Sequence, residues 1–109
     1  MNKYGAKKTE FDGIVFDSRK EASRYAELKL MQRAGEIRDL KLQVPFELIP
    51  KQEENGRIVE RAVKYIADFV YTDRDGQMVV EDAKGMRTDV YKLKKKMMRW
   101  LWGIDVKEV

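Results

Sequence analysis

The chain has 109 residues, 43% hydrophobic and 39% charged, with a formal net charge of +4. The charges are spread along its length, so it reads as one globular domain (1–109) that buries roughly 65% of its unfolded surface. It contains neither Cys nor His, which excludes thiolate nucleophiles, imidazole bases, Ser-His-Asp triads and zinc fingers.

The first elements are short. Residues 4–8 form a basic arm with Lys7 and Lys8, and residues 10–16 alternate around Asp12-Gly13 as a small hairpin. Ser18 is a good N-cap for a helix running to Ala34, which Gly35 stops. Two extended segments follow, 37–43 and 46–49, separated by Pro45. Pro50 and the polar stretch 51–57 read as a loop before a long strand over 58–71. A second helix is expected from about Thr88 to Trp102, ended by Gly103, with a short strand at 104–106. The order helix, strands, helix, strand predicts an α/β (α+β) fold: a central mixed sheet flanked by helices.

The most informative part is the hairpin over residues 62–84. Two apolar strands are joined through Asp73-Arg74-Asp75-Gly76, a strong turn signal. A turn centred near Asp75 puts Asp68 directly across from Asp82, with Lys84 on the same face of its strand. Ile66, Val70 and Val80 share that face and imply partial burial. Like charges opposed within apolar strands require a compensating cation. For such oxygen ligands a hard ion, Mg²⁺ or Mn²⁺, is the natural candidate. A solvated edge strand carrying Asp82 and Lys84 as mere neighbours is the bland alternative. Alternation turns Glu81 away from Asp82, toward the surface or a structural contact.

Two helical features also bear on function. Glu21 follows Ser18 at capping-box spacing, yet shares a stripe with Tyr25 and Leu28, so it is either a cap or a site residue. On the second helix, Val90, Leu93, Met97, Trp100 and Leu101 form an apolar face, opposite a stripe of Lys92, Lys95, Lys96 and Arg99 with no acid among them. That stripe is either a solvated face or a contact for nucleic-acid phosphates. Lys94 lies within the apolar arc. Trp100 and Trp102 read as core or dimer contacts rather than base-stacking platforms.

Asp82-Ala83-Lys84 preceded by Asp68 resembles the signature of the PD-(D/E)XK nucleases, an acid followed on the next strand by acid-x-Lys. Tyr4, the run 11–18, Glu21-Ala22, Tyr25, Leu28, Gly35-Glu36-Ile37, Gln43 and Phe46 extend the resemblance to a small phage-encoded family in that superfamily. The resemblance implies a restriction-endonuclease-like core and metal-dependent hydrolysis of DNA, on branched or recombination-intermediate substrates and by a homodimer. It implies that Asp68, Asp82 and Glu21 hold metal, that Lys84 handles the attacking water, and that Tyr91, Lys94 or Lys95 assist. The sequence leaves two other readings open: a non-catalytic nucleic-acid-binding module and a phage assembly protein. No run approaches the roughly 18 apolar residues of a membrane span, and residues 1–8 lack the apolar centre of a signal peptide. The expected setting is therefore cytoplasmic, in the bacterial host, without a membrane partner.

Overall fold

A computed structural model describes residues 7–109; Tyr4 and most of the basic arm lie outside them. The fold is mixed α+β. Its centre is a four-stranded mixed sheet, ordered β3-β6-β7-β8, built from β3 (Arg38–Ile49), β6 (Val63–Thr72), β7 (Met78–Asp82) and β8 (Lys107–Glu108). The helix α1 (Arg19–Arg33) covers one face, where Ala22, Tyr25 and Leu28 pack with Phe69 and Tyr71. The helix α2 (Asp89–Met97) and the π turn Met98–Trp102 cover the other, where Tyr91 and Met98 pack with Tyr65, Val80 and Val106. α2 is the crossover that a parallel β7–β8 pair requires.

Local chemistry explains the boundaries. The Ser18 hydroxyl accepts the Glu21 N–H at 3.1 Å and caps α1. At the other end Gly35, at φ 77°, lets Gly35 and Glu36 donate back to Gln32 and Met31, which satisfies two orphan carbonyls. The hairpin β1 (Thr9–Phe11) and β2 (Ile14–Phe16) turns at Asp12-Gly13, both left-handed, and docks on α1 through Tyr25, which donates to Asp12 and packs on Phe16.

Several expectations are corrected. Pro45 does not divide two segments; it lies inside β3, an edge strand whose outer side needs no N–H from it. The stretch expected as a loop and the start of the expected long strand form a second hairpin, β4 (Gln52–Glu54) and β5 (Arg57–Glu60), turned at Asn55-Gly56. All its strand residues are exposed. The last strand lies at Lys107–Glu108 rather than 104–106, and the second helix changes to a π turn at Met98.

Helix α2 is rotated from the expected orientation. Tyr91 and Met98 face the core, whereas Val90, Leu93, Trp100 and Leu101 are exposed, Trp100 by 86%. Helical periodicity locates an apolar arc but does not say whether the sheet meets it. Here the sheet meets the arc containing Tyr91, whose hydroxyl finds an acceptor in Glu108. Trp102 does reach the body of the protein, donating to the Glu47 carbonyl and packing edge-on against Phe46. Among the described residues no helix is long and apolar enough to cross a membrane.

Candidate active site

The turn between β6 and β7 sets the register. Asp73 Oδ1 accepts from the N–H groups of Asp75 and Gln77, and Gly76 adopts φ 80°. Pairing then runs from Thr72↔Met78 to Phe69↔Glu81, so the next rung brings Asp68 beside Asp82. Asp68 Oδ2 accepts the Ala83 N–H at 2.9 Å there.

Strict alternation would send Tyr65 and Asp68, three residues apart, to opposite faces. They nevertheless meet at Asp82. Along β6, Tyr65, Ala67 and Val70 face α2, while Phe69 and Tyr71 face α1, so the parity of the strand changes at Asp68. β3 changes with it: Val44 and Phe46 face α2, whereas Leu40 and Leu42 face α1. The residue between, Gln43, has φ 53°, and the pairs Leu42↔Phe69 and Val44↔Ala67 flank an unshifted register. A left-handed non-glycine residue inside a strand is strained by about 1 kcal/mol or more, and its amide donates to Asp68 Oδ1 at 3.2 Å. Ile66, expected on the buried face, is exposed for the same reason.

Asp82 is 1% exposed. Its Oδ2 accepts the Tyr65 hydroxyl at 2.5 Å. Its Oδ1 has no hydrogen-bond partner among the described residues, although Lys84 Nζ lies 3.4 Å away as an ion pair. Lys84 also stands over the Tyr91 ring, 4.7 Å from its centroid. Burial and the charge of Asp82 push the Asp68 carboxyl up to about 7 against the pull of the Ala83 N–H. Glu21, 5% exposed, is raised by burial and by the charges of Asp17 and Asp82. Its backbone N–H is the donor that Ser18 caps, while its carboxylate, stabilised by the Asp17 backbone N–H, lies near enough to Asp82 and Lys84 to feel both charges. Lys20 ties the helix to the strand end by donating to the Lys84 carbonyl.

Three of the predicted residues, Asp68, Asp82 and Lys84, are thus brought together, with Glu21 close enough to act on them electrostatically. Among the described residues no three acidic or other ligating side chains gather tightly enough to hold a metal ion unaided. A two-carboxylate site completed by water is the usual Mg²⁺ arrangement, and Asp82 Oδ1, paired with Lys84 but free of hydrogen bonds among the described residues, keeps lone pairs open to a cation. The donor set therefore fits a hard cation held by Asp68 and Asp82.

One family matches residues 1–107, described as "Protein of unknown function (DUF1064)". The chain belongs to that family. No curated protein and no solved structure matches it.

In this DUF1064 chain the basic stripe of α2, which carries no acid of its own, is partly neutralised by acids from beyond the helix. Glu108 of β8 accepts from Lys95 and pairs with Arg87, each at 3.2 Å, and Asp105 accepts from Arg99 at 2.8 Å. Lys92 and Lys96 are exposed and make no ion pair among the described residues. With Arg87 and Asp105 the four stripe cations line an open groove of about 400 Å³. Tyr91 borders both regions, donating to Glu108 while its ring lies under Lys84. Lys94 is half-buried, and its side chain makes no ion pair or hydrogen bond among the described residues. Lys7 and Lys8 are exposed at the start of the described chain.

Sequence reasoning misses Tyr65, because alternation places it opposite Asp68, and Arg87 and Glu108, because nothing local joins them. Of the two placements open for Glu81, surface or structural contact, the structure takes the second. Glu81 is fully buried, accepting from Arg24 Nε and Nη2 at 2.8 and 2.7 Å and from the Tyr71 hydroxyl.

Proposed function

We propose that the chain is a metal-dependent DNA endonuclease of the PD-(D/E)XK type, with a restriction-endonuclease-like core, hydrolysing phosphodiester bonds. The observation that carries this reading is the buried, unpartnered Oδ1 of Asp82, set beside Asp68 and facing Lys84. A site built only for stability would satisfy that oxygen.

Asp68 and Asp82 would hold Mg²⁺ or Mn²⁺. Such an ion, when bound, neutralises charge on the scissile phosphate and acidifies water. Tyr65 and Gln43 fix one oxygen of each carboxylate, so the remaining lone pairs point in set directions. Lys84, held between Asp82 Oδ1 and the Tyr91 ring, presents a compact ammonium able to donate to the charge that grows on the phosphate as water attacks and the bridging P–O bond breaks. Glu21 supplies negative potential behind the pair. The basic groove offers phosphate contacts one strand away. A phage-encoded, dimeric, cytoplasmic enzyme acting on branched DNA is the setting this reading carries with it.

The groove alone also supports a second reading, a DNA-binding module without chemistry. One experiment separates them: supercoiled plasmid and a synthetic four-way junction are incubated at low salt with Mg²⁺, Mn²⁺ or EDTA, beside Asp82→Asn and Lys84→Ala. The nuclease cleaves only with metal, and both substitutions stop it. Binding without cleavage by the folded protein leaves the module.

A further inference from the structure

Glu108 is placed unlike an ordinary surface acid. Its Oε2 receives the Tyr91 hydroxyl at 2.9 Å, Lys95 Nζ at 3.2 Å and an ion pair from Arg87 Nε at 3.2 Å. One carboxylate oxygen therefore gathers two cations and a hydroxyl from three different positions around α2. That donor set is what a phosphate oxygen takes in nucleic-acid complexes. Glu108 also pairs with Asp82 across the parallel β7–β8 ladder, whose strands run about 4.8 Å apart, so it stands one strand from Asp82 and two from Asp68. Beyond it the groove continues past Lys92, Lys96 and Arg99.

We propose that Glu108 is a placeholder for a DNA phosphate: it occupies Arg87, Lys95 and Tyr91 in the free protein and yields them to a backbone phosphate neighbouring the scissile one. This inference rests on the nuclease reading for its substrate. Lys92 and Lys96 make the first contact with the strand, and its phosphate then displaces the Glu108 carboxylate from Arg87 and Lys95. The displaced acid raises the threshold for binding, so short or weakly charged ligands do not dislodge it. Tyr91 couples the exchange to the site, because the ring beneath Lys84 carries the hydroxyl that Glu108 releases.

The test is DNA binding by fluorescence anisotropy in EDTA, on a labelled duplex and a four-way junction, between about 50 and 200 mM salt. Glu108→Gln keeps the shape and an acceptor for Tyr91 while removing the competing charge. It is expected to tighten binding several-fold while leaving the log–log salt slope near the native one, because the same phosphate is neutralised in both complexes. Arg87→Gln, combined with it, reverses the tightening. Unchanged or weaker binding by folded Glu108→Gln overturns the proposal. Should that variant melt early, Arg87→Gln in the otherwise native chain decides: a salt slope reduced by about 0.9 supports the exchange, and an unaltered slope overturns it. Inorganic phosphate at matched ionic strength should leave DNA affinity unchanged; saturable competition marks a free-phosphate site instead and also overturns the proposal. If the native chain and both variants all fail to bind DNA, the nuclease reading falls with it, whereas a native chain that binds beside unresponsive variants removes only the role of Glu108.

Discussion

Glu81 and Asp82 are adjacent acids on one strand, both almost fully buried, and their surroundings are opposite in kind. Glu81 faces α1, where Arg24 grips both its oxygens and Tyr71 adds a third donor. Burial would raise its pKa, but the Arg24 and Tyr71 hydrogen bonds win and hold it below the ordinary range. Asp82 faces α2 with one oxygen bonded, one unpartnered, and a second carboxylate beside it. A buried acid with both oxygens answered is structural; one with an oxygen left without a hydrogen bond next to a like charge is arranged for something that arrives later. Burial alone therefore does not distinguish the two, and the count of donors does.

Substitution sharpens the contrast most at Asp82. Asp82→Asn is expected to reduce cleavage on the order of 1,000-fold while leaving the melting temperature unchanged or higher, since it removes a repelling charge. A large loss of stability would show Asp82 to be structural after all. Glu81→Ala should do the converse, destabilising by about 3 kcal/mol because Arg24 and Tyr71 are left without their acceptor, as read by urea denaturation. A Glu81→Ala protein as stable as the native chain would erase the comparison.

The pH dependence should run in opposite directions on the two faces. Glu81, with a lowered pKa, contributes stability that is present above its unfolded value and lost as pH falls through the folded one. Stability of the native chain should therefore drop on acidification below about pH 4.5, and Glu81→Gln should lack that drop. Asp68 is raised to about 7, so the folded state holds more protons than the unfolded one below that value, and stability declines as pH rises from about 4 toward 7. Millimolar Mg²⁺ or Mn²⁺ should cancel this decline, raising the melting temperature by a few degrees at pH 8 in the native chain and not in Asp68→Asn. No metal response at that pH would remove the cation from the reading.

The smallest expected effect concerns Gln43. Gln43→Gly relaxes the left-handed backbone and loses the hydrogen bond to Asp68, so stability should change by less than about 1 kcal/mol while cleavage falls. Retained cleavage would make the strain incidental.

Local signals determined much of this molecule. Ser18 and Gly35 bound the first helix because caps act through the nearest few residues. Asp75-Gly76 set the hairpin register, and with it the approach of Asp68 to Asp82, because a tight turn leaves the flanking strands one pairing. The carboxylate pair and Lys84 were legible for that reason. Tertiary structure decided the rest. Which arc of α2 meets the sheet depends on the sheet, and two of its arcs were competent to do so. The parity change at Gln43 and Asp68 involves two strands at once, and no period along either strand records it. Glu81 became structural only through an arginine 57 positions away, and the basic stripe became a partly filled groove only when β8 carried Glu108 beside it. Periodicity and turn chemistry are properties of short segments; the partner that answers a buried charge comes from elsewhere in the chain.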